Sequence, residues 1–384
     1  MNGPGQHAVT AESVFDGVTL RRDVAVVIEG PRIAGIVAKH ELPQNLPVRR
    51  LREGAWLAPG FIDAQVNGGG DVLFNDEPTP EGIAVIAAAH RRFGTTAFLP
   101  TLISDTAEKI HKARGAVEAC GDPSVLGIHF EGPFLSPERP GVHDPRMIRA
   151  PAPEDAELVA PLQGRVTLVT LAPERVPAGF IARLAKGGVR VSLGHSMATY
   201  AQTRDALAEG LTGFTHLFNA MRPLSSREPG PIAAALEERG AFFGMIVDGE
   251  HVAPAMLRLA LRSAGNPMLV TDAMPPVGGS RSTFTLYGEE IALNNGRCTR
   301  ADGTLAGAAL DMASAVRNCV RLLELPLPDA LRLASATPAR FLGVEKMLGR
   351  LAPGYRADMV ALDPKEVRVL AAWVAGKERA AVTV

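Results

Sequence analysis

Four polar side chains, each at the end of an apolar run, could do chemistry together. The runs Val125–Glu131, Val189–His195, Gly213–His216 and Met268–Asp272 end on carboxylates or imidazoles. Glu131, His195 and His216 make a set of two histidines and one carboxylate, a common catalytic zinc set that leaves one coordination position for water. Iron or manganese accept similar ligands. Asp272 would be the catalytic base. Each residue also has a plainer reading. A lone histidine at a strand end is usually a half-buried polar group, Glu131-Gly132 can be a turn, and Asp272 can cap the next helix. The joint pattern argues against these readings, because each residue closes a different apolar run.

A second group carries anion-binding types. His143, Asn219, Arg227 and His251 all fall in loops after candidate strands. Arg227 lies in the polar stretch Ser225-Ser226-Arg227-Glu228-Pro229-Gly230, where it could equally pair with Glu228 at the surface. His251 could be a helix-start histidine. The turn Asn219-Ala220 could offer backbone N–H groups to a phosphate.

Something must bring such distant residues together. The middle of the chain alternates short apolar runs with amphipathic stretches. The strand candidates are Phe61–Gln65, Thr95–Pro100, Val125–Glu131, Val166–Leu171, Val189–His195, Gly213–His216, Phe243–Val247 and Met268–Asp272. Helix candidates between them are Pro80–Arg92, Asp105–Ala119, Pro177–Lys186, Thr199–Glu209, Pro231–Arg239 and Ala253–Ala264. Eight strands with intervening helices predict an α/β fold, a (β/α)8 TIM-like barrel. Active sites of such barrels form at the C-terminal ends of the strands, where the four residues would converge, with Gln65 and Asn67 beside them. Two more helices, near Leu310–Leu323 and Pro328–Ser335, would close the bottom. Both chain ends read as short strands, Val24–Glu29 and Arg32–Val37 at one end, Ala357–Leu362 and Val367–Val374 at the other. Neither end could bury a core alone. We therefore expect residues 1–57 and 349–384 to form one small β-sandwich domain beside a barrel of residues 58–348.

The bulk properties set limits. At 384 residues, 46% hydrophobic and 21% charged, the chain suits a globular protein with a sizeable core. Its formal net charge of −1 attracts neither nucleic acid nor an acidic membrane, so no such partner is expected. An anionic ligand would need a local cluster of positive groups. The three cysteines, Cys120, Cys298 and Cys319, are scattered and have no CxxC spacing, which disfavours a disulfide framework or a thiolate zinc site. Met1–Gly17 has no basic region followed by an apolar one, and no apolar run reaches the roughly 18 residues of a membrane span. A cytoplasmic location is the expectation.

The motifs narrow this further. Pro59-Gly60-Phe61-Ile62-Asp63 resembles the start of strand one in the amidohydrolase superfamily. His129-Phe130-Glu131-Gly132-Pro133-Phe134, Gly141-Val142-His143, Gly194-His195-Ser196 and Thr215-His216-Leu217-Phe218-Asn219-Ala220-Met221 resemble the N-acetylglucosamine-6-phosphate deacetylase family. So do Arg227-Glu228-Pro229-Gly230, Asp248-Gly249-Glu250-His251, Val270-Thr271-Asp272-Ala273 and Thr304-Leu305-Ala306-Gly307, all in that family's order. The tail from Gly349 to Asp358 resembles the return to the small β domain.

The resemblance implies hydrolysis of the acetamide of N-acetyl-D-glucosamine 6-phosphate, or of a related N-acyl amino sugar such as N-acetylgalactosamine 6-phosphate, in amino-sugar catabolism. A non-catalytic sugar-phosphate sensor is the reading of another class, and the presence of all three ligands together with Asp272 argues against it. By the same resemblance, Glu131, His195 and His216 hold the metal and Asp272 is general base and then acid. His143 hydrogen-bonds the acetamido carbonyl. Asn219, the Ala220 backbone, Arg227 and His251 bind the sugar phosphate, and Leu305, Ala306 and Gly307 line the acetyl pocket. Arg227 is expected to reach the neighbouring subunit's site, which implies a homodimer. One departure stands out. Many amidohydrolases carry His-x-His after strand one and bind two metals, whereas this chain has Gln65-Val66-Asn67. Neutral amides are poor ligands beside imidazole and carboxylate. One divalent ion per subunit is therefore expected: zinc first, with iron, manganese or cobalt as alternatives.

Overall fold

In the computed structural model, which describes residues 5–381, the eight apolar runs of the middle segment form one parallel sheet. We number its strands β1 (Phe61–Val66), β2 (Thr95–Ile103), β3 (Gly127–Glu131), β4 (Val166–Leu171), β5 (Arg190–Leu193), β6 (Gly213–Phe214), β7 (Phe242–Met245) and β8 (Asn266–Leu269). Neighbours in sequence are neighbours in the sheet. Every position of β1, β2 and β3 is buried, as expected for parallel strands wrapped by helices. The TIM-like barrel expectation holds.

Pro100 in β2 has no N–H to give the ladder. The register to β1 shifts there, and the Thr101 hydroxyl takes the Val66 N–H at 2.9 Å instead. The seam between β1 and β8 closes mostly beyond the strand ends. Val66 bridges Ala273, Asp272 N–H donates to the Gln65 carbonyl at 3.1 Å, and Asn67 N–H donates to the Ala273 carbonyl at 2.9 Å. Deeper in the seam, the fully buried Asp63 carboxylate accepts the Thr271 hydroxyl at 2.5 Å, the Thr271 N–H at 3.3 Å and the Gln65 N–H at 3.2 Å. Burial pushes the Asp63 carboxyl up to about 7, although these bonds pull it down.

The helices begin where short polar residues cap them. Thr79, Thr106 and Thr199 accept the N–H three residues on, ahead of the helices Pro80–Arg91, Ala107–Ala119 and Tyr200–Glu209. Helices Met312–Leu323 and Leu327–Leu333 follow the barrel as expected, and Ala336–Leu342 adds a third.

Two features depart from expectation. First, β5, β6 and β8 stop short, so His195, His216 and Asp272 do not close their strands but stand on the loops beyond them. All three have left-handed backbones, at φ 47°, 32° and 52°. That conformation costs a non-glycine residue roughly 1–2 kcal/mol, and a strand ladder cannot continue through it. Second, a four-stranded antiparallel sheet follows β8, made of Thr283–Leu286, Glu289–Asn294, Arg297–Thr299 and Leu305–Ala308. Sequence reasoning did not anticipate this flap, although Asn295-Gly296 is a strong hairpin-turn dipeptide.

The chain ends meet in two further sheets. A four-stranded sheet takes Gln6–Thr10, Val24–Glu29, Arg32–Ala38 and Val48–Arg50. A six-stranded sheet joins Ser13–Phe15, Leu20–Arg22 and Trp56–Pro59 to Met359–Asp363, Arg368–Val374 and Lys377–Ala381. Val9, Val26, Ile28, Leu57, Met359 and Trp373 share one apolar core between the two sheets. Residues 1–4 and 382–384, included in the expected small domain and partly in the Met1–Gly17 reading, lie outside the described residues.

Candidate active site

Glu131 ends β3, and the loops after β5 and β6 bring two histidines to it. Glu131 Oε1 lies 3.0 Å from His216 Nε2 and 3.3 Å from His195 Nε2. The two Nε2 atoms are 3.1 Å apart. All three side chains are buried, and each offers one ligand atom to a group whose atoms lie within 4.8 Å of one another. His195 Nδ1 faces the Arg139 carbonyl at 2.9 Å. The carbonyl can only accept, so Nδ1 carries the hydrogen and Nε2 keeps its lone pair, the arrangement a metal ligand needs. Two imidazole nitrogens and a carboxylate oxygen at these distances suit a cation among them, so the residues fit a metal. Burial pushes the Glu131 carboxyl up, but the His195 and His216 imidazoles against it outweigh burial and hold it well below the usual carboxylate range.

Gly141 is needed beside this group. Its φ is 56°, and a Cβ there would stand 3.0 Å from the His195 ring. The glycine lets the loop carry His143 to the metal group, where Nε2 lies 3.9 Å from Glu131 Oε2. His143 Nδ1 accepts the Ser104 N–H at 3.2 Å. The ring proton must then sit on Nε2, which points toward Glu131. Burial, aided by the nearby His195, drives the His143 ring well below its ordinary pKa and keeps it neutral. A neutral N–H donor is what a developing oxyanion requires.

Asp272 faces the group from the β8 side. Its Oδ1 accepts Asn67 Nδ2 at 2.7 Å and Gln65 Nε2 at 3.0 Å. Gln65 Nε2 also donates to Glu131 Oε1 at 3.1 Å. Burial, and then the Glu131 charge, raises the Asp272 carboxyl. That moves it toward the range in which a base can also return its proton.

A cavity of about 240 Å³ joins these residues. Asn67, Glu131, His143, His195, His216 and Asp272 line one part of it, and Asn219, Ala220, His251, Leu305 and Gly307 another. The flap therefore contributes a wall. At Gly307, φ is 63° and a Cβ would lie 2.5 Å from the Met274 side chain. Two expected residues fall elsewhere. Ala306 is fully buried in the flap's own core rather than on the cavity. Arg227 is exposed and does not line the cavity of its own chain. Asn219 turns its side-chain amide back onto the His216 carbonyl at 3.1 Å. Sequence reasoning missed Ser104, whose backbone sets the His143 proton, and the Arg139 carbonyl. A backbone contact leaves no mark on residue type.

Fold and site together define a barrel hydrolase with a built metal-ligand set. Residues 56–384 match the amidohydrolase family. The chain is 44% identical over 342 residues to N-acetylgalactosamine-6-phosphate deacetylase of Shewanella sp. (strain ANA-3), covering 88% of this chain and 86% of that one. It is 35% identical over 371 residues to N-acetylglucosamine-6-phosphate deacetylase of Haemophilus influenzae, covering 95% and 97%. A solved structure of N-acetyl-D-glucosamine-6-phosphate deacetylase from Mycobacterium smegmatis, in complex with N-acetyl-D-glucosamine-6-phosphate, superposes with a TM-score of 0.89. The two are 36% identical, and 98% of this chain and 99% of that chain are covered. The chain belongs to the amidohydrolase family and, within it, to the N-acetylglucosamine-6-phosphate deacetylases.

Proposed function

We propose that the protein hydrolyses the acetamide of N-acetyl-D-glucosamine 6-phosphate, giving D-glucosamine 6-phosphate and acetate. The observation that carries this is the convergence of Glu131, His195, His216, His143 and Asp272 on one cavity. A divalent cation held by the first three would supply Lewis acidity to the acetyl carbonyl and to a water; zinc is the ion these ligands suit first. Asp272 Oδ1 is held by the two amides, so Oδ2 is the oxygen that takes the proton from the attacking water. His143 Nε2–H donates to the carbonyl oxygen as it gains charge. Asp272 then hands the proton to the sugar nitrogen as the C–N bond breaks, and the water oxygen leaves in acetate.

His251, Asn219 and the Ala220 backbone would take the phosphate end, and Leu305 and Gly307 the acetyl group. Arg227, exposed on its own chain, would complete the phosphate site of a second subunit, which makes the protein a homodimer. The N-acetylgalactosamine 6-phosphate epimer is a second substrate reading, supported by the 44% identity to the Shewanella enzyme. Residues 1–57 with 349–384, and 58–348, would be the two domains. The buried, unpaired Cys120, Cys298 and Cys319 support a reducing cytoplasm.

Acetate release measured on both phosphorylated epimers and on the free N-acetyl sugars tests the reading. We expect a phosphorylated sugar to be preferred by orders of magnitude in kcat/KM, and equal rates on the free sugars would overturn it.

A further inference from the structure

His251 reaches the cavity from the loop after β7, and a carboxylate stands behind it. Asp248 Oδ2 meets His251 Nδ1 at 2.6 Å. Asp248 Oδ1 accepts the backbone N–H of Glu250 and of His251, each at 2.9 Å. Both side chains are enclosed, 12% exposed for Asp248 and 8% for His251. Every contact Asp248 makes draws on its ability to accept, so the proton of the shared bond belongs to Nδ1. Burial pushes the Asp248 carboxyl up, but the His251 bond and charge outweigh it and hold it down. The loop itself is braced from two elements. Asn318 on the helix Met312–Leu323 donates to the Val247 carbonyl at 2.8 Å, and Arg297 on the flap pairs with Glu250 at 3.2 Å. That pairing engages the Glu250 charge with the flap. The other carboxylates near the ring are Asp248 behind it and Asp272 across the cavity.

We propose that Asp248 is a positioning residue for the substrate phosphate: by accepting from Nδ1 it holds the His251 ring with Nε2 toward the anion, and its charge balances the second ring proton that donation from Nε2 requires. This rests on His251 contacting the phosphate. A ring that donates to the phosphate through Nε2 and to Asp248 through Nδ1 needs a proton on each nitrogen. The carboxylate behind it balances that second proton, giving a row of anion, ring and anion joined by charge-assisted hydrogen bonds. Without Asp248 the second ring proton has no counter-charge behind it, and the ring is free to turn away. This carboxylate is absent from the set that the motifs alone assign, and it adds selectivity for a charged sugar without adding a contact.

Asp248→Asn separates this role from a merely structural one. The asparagine oxygen can still accept the two loop N–H groups, but its amide presents hydrogens to Nδ1 and reverses the bond. We expect KM for the phosphorylated sugar to rise about tenfold, the loss of roughly one charge-assisted bond, while kcat stays within about twofold. The preference for phosphorylated over free sugar should fall by the same factor. In nitrogen-15 NMR, the protonated Nδ1 of His251 in the wild-type enzyme should be lost in the variant. In a His251→Ala background, Asp248→Asn should change nothing further. An unchanged KM, or an equal effect on kcat for both sugars, would overturn the proposal. If His251→Ala removes the phosphate preference and Asp248→Asn does not, only the positioning role fails. If His251→Ala leaves the preference intact, the phosphate contact fails with it.

Discussion

On the side of the mouth fed by β3, β5 and β6, three donor atoms of Glu131, His195 and His216 face one another at 3.0–3.3 Å. On the side fed by β1 and β8, the carboxylate of Asp272 meets hydrogens instead, from Gln65 and Asn67. Both sides hold buried anionic groups, and burial without compensation costs several kcal/mol per ion. The first side suits a cation shared among its three ligand atoms. The second is completed by neutral amides already in the chain. Residues that would be ligands if they were histidines here act as hydrogen-bond donors to Oδ1, and they leave Asp272 Oδ2 for the proton transfer proposed above. The same barrel mouth thus has one half that fits a metal and one half that fits the proposed base.

Four experiments bear on that division. The largest effect should follow chelation. Activity should fall to the assay floor and return with a stoichiometric divalent ion, one per chain by metal analysis; two tightly held ions would erase the distinction between the halves. Next, Asp272→Asn keeps the shape but cannot take a proton. Turnover should fall about 10³-fold, within the usual range for general acid–base groups, while the metal content stays at one; a loss of metal would mean that Asp272 belongs to the first half. Third, Asn67→Ala removes one of the two amide donors on Asp272 Oδ1. A drop of about tenfold in kcat with unchanged metal content is expected, and metal loss would again move the boundary.

The last effect falls on stability rather than turnover and concerns Asp63, which clasps the seam beneath Asp272. Its folded carboxyl sits at about 7 against an unfolded value near 3.9. The folded state therefore binds a proton that the unfolded state releases. This contribution to stability is complete below about pH 4 and is lost as pH rises through about 7. Asp63→Asn has no such titration. Its stability relative to wild type should improve across that window by a few kcal/mol at most, roughly 4 by the size of the shift. Denaturant midpoints at pH 4 and pH 8 check this, and a difference independent of pH would mean that Asp63 does not carry the raised carboxyl.

Much of the architecture was legible because period and punctuation agree. The eight apolar runs each became a strand, and the helices between them started at Thr79, Thr106 and Thr199 or close to them. The boundaries near the site were not legible. His195, His216 and Asp272 follow apolar runs that look continuous, yet a left-handed residue ends the ladder. Nothing in residue type announces that turn, since histidine and aspartate also suit strand ends. The flap was missed because its strands are short and partly exposed, with Pro275-Pro276 ahead of them suggesting a loop.

The metal-ligand types, the exchange of His-x-His for Gln65-Val66-Asn67, and the order of motifs were in the sequence alone, because chemistry restricts which side chains can bind a cation or move a proton. Tertiary structure alone decided how those side chains are aimed. The proton of His143 is set by the Ser104 backbone, that of His195 by the Arg139 carbonyl, and that of His251 by Asp248, three residues away in sequence and 2.6 Å away in space. Hydrogen bonds depend on distance and direction, and for partners such as Ser104 and His143, 39 residues apart, only the closed barrel supplies either.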